Sequence, residues 1–285
     1  MILICDCGST KAEWVVLDGD AVVKRFITNG FNPNFTDNMT MNNIIGDALN
    51  SIDNQDVSNI YFYGSGCGSD GNQLKIKLIF SKLCFNAKTE VYPDTLAACH
   101  ALFGRDPGVA CILGTGSNAC VYDGENITQS VASLGFMIGD EGSGCHIGKR
   151  IVHDYFLGLM PEDLRTKFDE KYHLDRETFL KKVYQGEQPS RYLAEFAMFA
   201  MENIDTQYIV KLVGGCFEEF INSSLLNGGD FSTALEMTTC GFVGSIAFTF
   251  QSILIQVLEN HHIKCSKILK NPMDGLIEYY KNVIA

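Results

Sequence analysis

Basic residues are scarce in this 285-residue chain: 22 Lys and Arg stand against 34 Asp and Glu, giving a formal net charge of −12. A surface that grips nucleic acid or an anionic membrane shows a basic excess, so neither is an expected partner. A polyphosphate bound by such a chain needs local help, from Mg²⁺, backbone N–H groups or a placed lysine. Long apolar runs are also missing. No stretch reaches the roughly 18 apolar residues of a membrane span, and Met1-Ile2-Leu3-Ile4 is too short, with Asp6 close behind, for a secretory signal. The eleven cysteines form no C-x-x-C pair and are spread along the chain. That pattern predicts reduced thiols in a cytosol, most of them small core residues, rather than a disulfide framework. The G-x-x-x-x-G-K-[ST] phosphate loop is absent, and Trp14 is the only tryptophan.

What is present is ordinary for a globular chain: 46% apolar and 20% charged residues. At about 150 residues per domain, the length predicts about two domains. Residues 2–7, 14–18 and 22–28 read as a three-stranded antiparallel meander. A helix is expected at 41–53, a strand at 59–63 ended by Gly64-Ser65-Gly66-Cys67-Gly68, a helix at 72–84, a strand at 89–92 and a helix at 94–103. Gly104-Arg105-Asp106-Pro107-Gly108 is the best boundary. A second meander then follows at 109–113, 119–122 and 127–131. Cys7–Asp20 (CGSTKAEWVVLDGD) and Thr115–Asn126 (TGSNACVYDGEN) repeat a Gly-Ser turn, a strand and an acidic glycine turn, which implies two related halves. Beyond residue 143 the chain reads as mostly helical, with helices at 147–159, 191–203, 206–226, 244–258 and 273–283, and strands at 235–239 and 263–269.

Five segments carry candidate chemistry. Asp6-Cys7-Gly8-Ser9-Thr10-Lys11 places an acid at a strand end before a turn whose Gly8 allows close backbone approach. Ser9 and Thr10 can donate to phosphate, Lys11 can add charge, and Asp6 suits a hydrated Mg²⁺; a plain hairpin turn uses the same residues. Gly114-Thr115-Gly116-Ser117-Asn118 offers converging N–H groups, as an anion nest does. Asp94 follows a strand and opens a helix, the place of a general base or of an ordinary N-cap. Gly139-Asp140-Glu141-Gly142-Ser143 sets two acids between glycines, after Gly135 and before a helix that Ser143 can cap. Gly241-Phe242-Val243-Gly244-Ser245 joins a strand to a helix, where glycine would let a flat ring lie on the backbone or simply make a tight turn.

In this order the five segments resemble the BadF/BadG/BcrA/BcrD-type ATPase family, and within it the N-acetylglucosamine kinases of the actin/hexokinase/heat-shock-ATPase superfamily. The resemblance implies an α/β fold of two actin-like (ribonuclease H-like) domains. Each would be a mixed five-stranded sheet flanked by helices, with an interdomain cleft. Residues 1–106 would form the first and 107–285 the second, with a helical insertion at about 143–226; the last helix, from about 273, could pack back on the first domain. It implies an ATP-dependent, cytoplasmic kinase of an amino sugar, using Mg²⁺ and commonly a homodimer. Gly8, Ser9, Thr10, Lys11, Gly114, Thr115, Gly116 and Ser117 would hold phosphates, and Asp6 the metal through water. Gly241, Val243, Gly244 and Ser245 would hold adenosine. Asn32, in Gly30-Phe31-Asn32-Pro33-Asn34, would hold the sugar with Asn118, Gly135 and Asp140, and Asp94 would be the catalytic base. The chain departs from the kinases at Ser133-Leu134-Gly135, where Gly-Trp-Gly is frequent, and lacks the zinc motif of the ROK sugar kinases. Two rival readings remain: an ATPase activator whose cysteines share a [4Fe–4S] cluster between subunits, and a non-catalytic nucleotide or sugar sensor.

Overall fold

The structure, a computed structural model, describes residues 1–52, 56–227 and 231–284. In chain order its elements are β1 (Ile2–Cys7), β2 (Lys11–Asp18), β3 (Ala21–Asn29), α1 (Asn38–Asn50), β4 (Asn59–Gly64), α2 (Asp70–Leu83), β5 (Lys88–Pro93), α3 (Asp94–Phe103), β6 (Gly108–Leu113), β7 (Ser117–Tyr122) and β8 (Ile127–Ser130). There follow α4 (Gly144–Leu157), α5 (Glu162–Tyr172), α6 (Arg176–Gln185), α7 (Pro189–Glu195), α8 (Ala197–Glu202), α9 (Gln207–Phe220), α10 (Ser232–Met237), β9 (Cys240–Val243), α11 (Ser245–Thr249), α12 (Gln251–Asn260), β10 (Cys265–Leu269) and α13 (Met273–Ile284). Two compact units result, Met1–Arg105 with Pro272–Ala285, and Asp106–Asn271.

The first unit is a five-stranded sheet in the order β3-β2-β1-β4-β5. β1 pairs antiparallel with β2, and parallel with β4, which pairs parallel with β5. Strand alternation sorts the side chains. Leu3, Cys5, Cys7, Trp14 and Val16 join one core with Met41 and Ile45 of α1 and Ile76 and Phe80 of α2. Trp14 is fully buried there and donates from Nε1 to Thr28 Oγ1 at 2.9 Å, so the only indole serves the core. The alternate positions of β1 include Asp6, and α3 and α13 pack on this sheet and on each other. A Cβ on Gly275 would lie 2.4 Å from Ala101 O, so α13 fits against α3 only with glycine at that point.

The second unit repeats the plan. Its sheet order is β10-β9-β6-β7-β8, with β6-β7-β8 antiparallel and β6-β9-β10 parallel. The core joins Val109, Cys111 and Leu113 of β6 to Ile147 and Ile151 of α4, Phe217 and Phe220 of α9, and Leu254 and Leu258 of α12.

Several boundaries differ from the sequence pattern. The strand expected at 235–239 is instead the end of helix α10, where Leu235 N donates to Phe231 O at 2.8 Å and Thr238 N to Ala234 O at 2.8 Å. Ala-Leu-Glu-Met are strong helix formers, and their propensity outweighs the short apolar alternation. The expected single helix at 191–203 is two, α7 and α8, parted at Phe196, which is buried in the core. The helix expected at 244–258 breaks at Phe250, and α9 passes into a π-helical turn over Ile221–Asn227. The helix expected to reach 53 ends at Asn50, and residue 53 lies outside the described residues.

Candidate active site

In the first unit β1, β4 and β5 are parallel and in register, so Cys7, Gly64 and Pro93 end side by side. Loops leaving the carboxyl ends of parallel strands are where open α/β sheets bind ligands. Three segments meet there. Ser65 N donates to Cys7 O at 2.9 Å, and Ser65 Oγ to Asp94 Oδ2 at 2.9 Å. Asp94 is not the cap of α3: Pro93 holds that place, with no side-chain cap bond, and Asp94 is the first helical residue. Burial raises its carboxyl above the ordinary range, against the Ser65 hydroxyl and the helix-end N–H groups of Asp94 and Thr95.

Asp6 lies opposite Glu13 in the β1–β2 ladder. Burial, then the charges of Asp94 and Glu13, push its carboxyl up to about 7, and Lys11 pulls the other way. The turn that follows is closed by Gly8 N to Lys11 O at 3.0 Å, with Ser9, Thr10 and Lys11 exposed. It rests on the next loop, where Gly30 N donates to Thr10 O at 2.9 Å. A Cβ on Gly30 would lie 2.0 Å from Gly8 O, so glycine is needed there; at Gly8 it would meet only Lys11 O, at 3.4 Å. Asn32 follows. Its Oδ1 accepts from Asn34 N at 3.0 Å and rests on Gly66, whose φ is +79°. The same strand ends therefore gather Asp6, Gly8, Ser9, Thr10, Lys11, Asn32 and Asp94. The donor set fits a hydrated Mg²⁺, a hard cation that takes carboxylate oxygen and keeps its waters.

The second unit builds a matching set at the ends of β6 and β9. Gly114 N donates to Gly116 O at 3.0 Å, while Gly144 N and Cys145 N at the start of α4 donate to Gly114 O and Thr115 O at 2.8 and 3.1 Å. Ser117 N donates to Asp140 Oδ1 at 3.2 Å, and Asp140 itself has φ +62°. A Cβ on Gly116 would lie 3.0 Å from that carboxylate oxygen. Burial raises the Asp140 carboxyl, while the Ser117 N–H and Lys149 favour its charged form. Asn118 Oδ1 accepts from Ala119 N at 2.8 Å, Gly139 N closes onto Gly135 O at 2.9 Å, and Ser143 caps α4 by accepting from His146 N. Gly244 seals the set from behind: with φ +132°, a Cβ there would lie 2.1 Å from Leu113 O.

The expected adenosine segment is only partly available. Gly241 and Val243 are buried inside β9 between β6 and β10, leaving Gly244 and Ser245 at the accessible end. A cavity of about 520 Å³ beside the Asp140 loop, lined by Phe136, Met137, Val152, Phe156, Phe179 and Leu193 among others, includes none of the expected sugar residues. Three residues escaped the sequence reading. Ser65 lies in the glycine-rich run that ends the strand before it. Glu13, 6% exposed, sits between the apolar Ala12 and Trp14 of β2, and Arg25 pairs with it. An acid facing Asp6 across a hairpin was the available signal for Glu13.

The sequence model of the BadF/BadG/BcrA/BcrD ATPase family matches residues 5–203. No curated protein matches. Among solved structures, a candidate N-acetylglucosamine kinase from Porphyromonas gingivalis is 32% identical over 100% of both chains, with a TM-score of 0.93. A ROK-family glucokinase from Streptomyces griseus, in complex with glucose and AMPPNP, is 12% identical over 98% of this chain and 97% of its own, with a TM-score of 0.53. Component A of the (R)-2-hydroxyglutaryl-CoA dehydratase from Acidaminococcus fermentans is 14% identical over 99% and 96%, with a TM-score of 0.51. The last two share the actin-like fold alone, and between them they show that this fold does not choose a chemistry.

Proposed function

Because the chain belongs to the BadF/BadG/BcrA/BcrD ATPase family, we propose that it is an ATP-dependent sugar kinase whose acceptor is an amino sugar, N-acetylglucosamine first among the candidates. The observation that carries this reading is Asp94: a carboxylate oriented by Ser65 at the same strand ends as Asp6 and the exposed Ser9-Thr10-Lys11 turn. A base beside a phosphate-binding turn is what transfer to a hydroxyl needs. Phosphoryl transfer otherwise asks for positioning and charge neutralisation.

In this reading Ser9, Thr10, Lys11 and the Gly114–Ser117 turn hold the phosphates, the turn through the N–H groups of Thr115 and Gly116 and the Ser117 hydroxyl, and Gly244 and Ser245 border the adenosine. Asp6 holds Mg²⁺ through water, and the metal when bound neutralises phosphate charge. Asn32, Asn118 and Asp140 orient the sugar, with Gly135 shaping the loop. Asp94 accepts the proton of the sugar hydroxyl as its oxygen bonds the γ-phosphorus and the bond to ADP breaks.

The cysteines speak against the activator alternative. Ten are buried and Cys265 is half-buried, whereas a cluster shared between subunits needs thiolates at the surface. A carboxylate oriented by Ser65 at these strand ends speaks against a sensor. The test is ADP release with ATP and Mg²⁺ across N-acetylglucosamine, N-acetylmannosamine, N-acetylmuramic acid, glucosamine, glucose and no sugar. Stimulation by one amino sugar is expected, and Asp94→Asn should bind ADP normally while losing about 10²–10⁴-fold in turnover. Equal slow hydrolysis in every well, or a fully active Asp94→Asn, overturns the reading.

A further inference from the structure

Glu13 is a buried carboxylate that the proposed reaction does not use, and its surroundings are unequal. Arg25 Nε donates to Glu13 Oε1 at 2.6 Å, and Arg25 Nη1 to Asp274 Oδ1 at 2.6 Å. Lys11 Nζ stands 3.9 Å from the other oxygen, Glu13 Oε2, with the lysine side chain 55% exposed. The guanidinium thus takes the short contact and the ammonium the loose one. A buried carboxylate stripped of its partner draws the nearest available cation, because leaving it uncompensated costs several kcal/mol. Of the cations paired with Glu13, only Lys11 would remain.

We infer that Arg25 is a positioning residue: by neutralising Glu13 it holds Lys11 to the loose 3.9 Å contact and leaves the ammonium free to meet phosphate. The inference rests on the reading that Lys11 contacts the nucleotide. It gives Arg25, on the neighbouring strand β3, an effect on nucleotide affinity that runs through charge and not through contact. It also predicts suppression. Removing Glu13 removes the trap, so the harm done by losing Arg25 should vanish when both are changed.

The experiment is calorimetric titration of Mg-ADP, without sugar, into wild type, Arg25→Gln, Glu13→Gln/Arg25→Gln and Asp274→Asn, with thermal melts of each. Arg25→Gln should bind ADP about tenfold more weakly, the loss of one charge-assisted phosphate contact. The double variant should return to within about twofold of wild type, and Asp274→Asn should bind normally because its carboxylate is exposed and far along the chain of contacts. Arg25→Gln binding like wild type, or a double variant no better than Arg25→Gln, overturns the inference. If wild type binds no ADP, the nucleotide reading itself fails. Labelling of Lys11 with an amine-reactive ester, followed by mass spectrometry, then still decides the charge arrangement: it should slow in Arg25→Gln and recover in the double variant, and an unchanged rate overturns the inference.

Discussion

Asp6 shows how a single residue sets function against stability. It is half-buried near the end of β1, where desolvation and the charges of Asp94 and Glu13 push its carboxyl up to about 7. An unfolded chain ionises the same group in the ordinary carboxylate range. Between that range and about 7 the folded state holds a proton that the unfolded state has lost, so stability falls as pH rises through this window. Above it the folded protein carries a full, poorly solvated charge. Asp6→Asn removes that charge. In metal-free protein at pH 8 the substitution is expected to raise Tm by roughly 2–4 °C, and the gain should shrink toward pH 5. The same variant should lose Mg-dependent turnover. Thermal melts at the two pH values check it, and an unchanged or lowered Tm at pH 8 would mean that the carboxylate is not strained.

At the scale of elements, the site depends on loops that brace one another. The Gly8–Lys11 turn is backed by Gly30, where a Cβ would sit 2.0 Å from Gly8 O and 2.5 Å from Lys11 N. Gly30→Ala must therefore move the turn, and is expected to cost about 2 kcal/mol or more and to abolish Mg-ADP binding. Gly8→Ala meets only an ordinary contact at 3.4 Å, so its melt should stay near wild type while ADP binding weakens where the backbone approaches phosphate. Melts and ADP titrations of the pair separate bracing from contact; equal Tm losses would erase the distinction. These elements differ in how far the sequence exposes them. The meander of Ile2–Cys7, Trp14–Asp18 and Val22–Thr28 is legible because alternation and acidic glycine turns are local. The carboxyl-end position of Asp94 follows from a strand running straight into a helix. Ser65 is not legible, since its role arises from loop contact, and Glu13 shows only once β1 and β2 are paired across their hairpin. Met237 shows the opposite failure: an apolar residue in a pattern that suggested a strand is 81% exposed on a helix, because short alternation is shared by both states. The breaks at Phe196 and Phe250 are set by packing, with no Gly or Pro to announce them.

Over the whole molecule the repeat that links CGSTKAEW to TGSNACVY extends to the full topology. Each unit is an antiparallel meander whose first strand continues into two parallel strands, β1-β4-β5 in one and β6-β9-β10 in the other. The strand-end turns at Gly8 and Gly114 are equivalent points of one plan. The chain then departs from symmetry: its final helix, α13, belongs to the first unit. A polar and aromatic seam holds it there. Tyr63 Oη is 2.6 Å from Tyr280 Oη and 2.7 Å from His100 Nδ1, and His100 stacks on Tyr279 at 4.0 Å between centroids. Burial lowers the His100 imidazole to about 4. It is therefore neutral in the fold at pH values where an unfolded histidine binds a proton. Between about 6.5 and 4 the unfolded state takes up more protons, so stability drops as pH falls through that window. A shift of this size corresponds to an upper bound of about 3 kcal/mol. His100→Asn should flatten this part of the pH–stability curve while lowering stability at pH 7, where the stacking on Tyr279 is lost. Hydrogen exchange of α13 amides at pH 7 and 5 supplies the local reading. Faster exchange at pH 5, beyond the intrinsic pH effect and absent in the variant, is expected; equal protection at both pH values would show that the seam does not sense the proton.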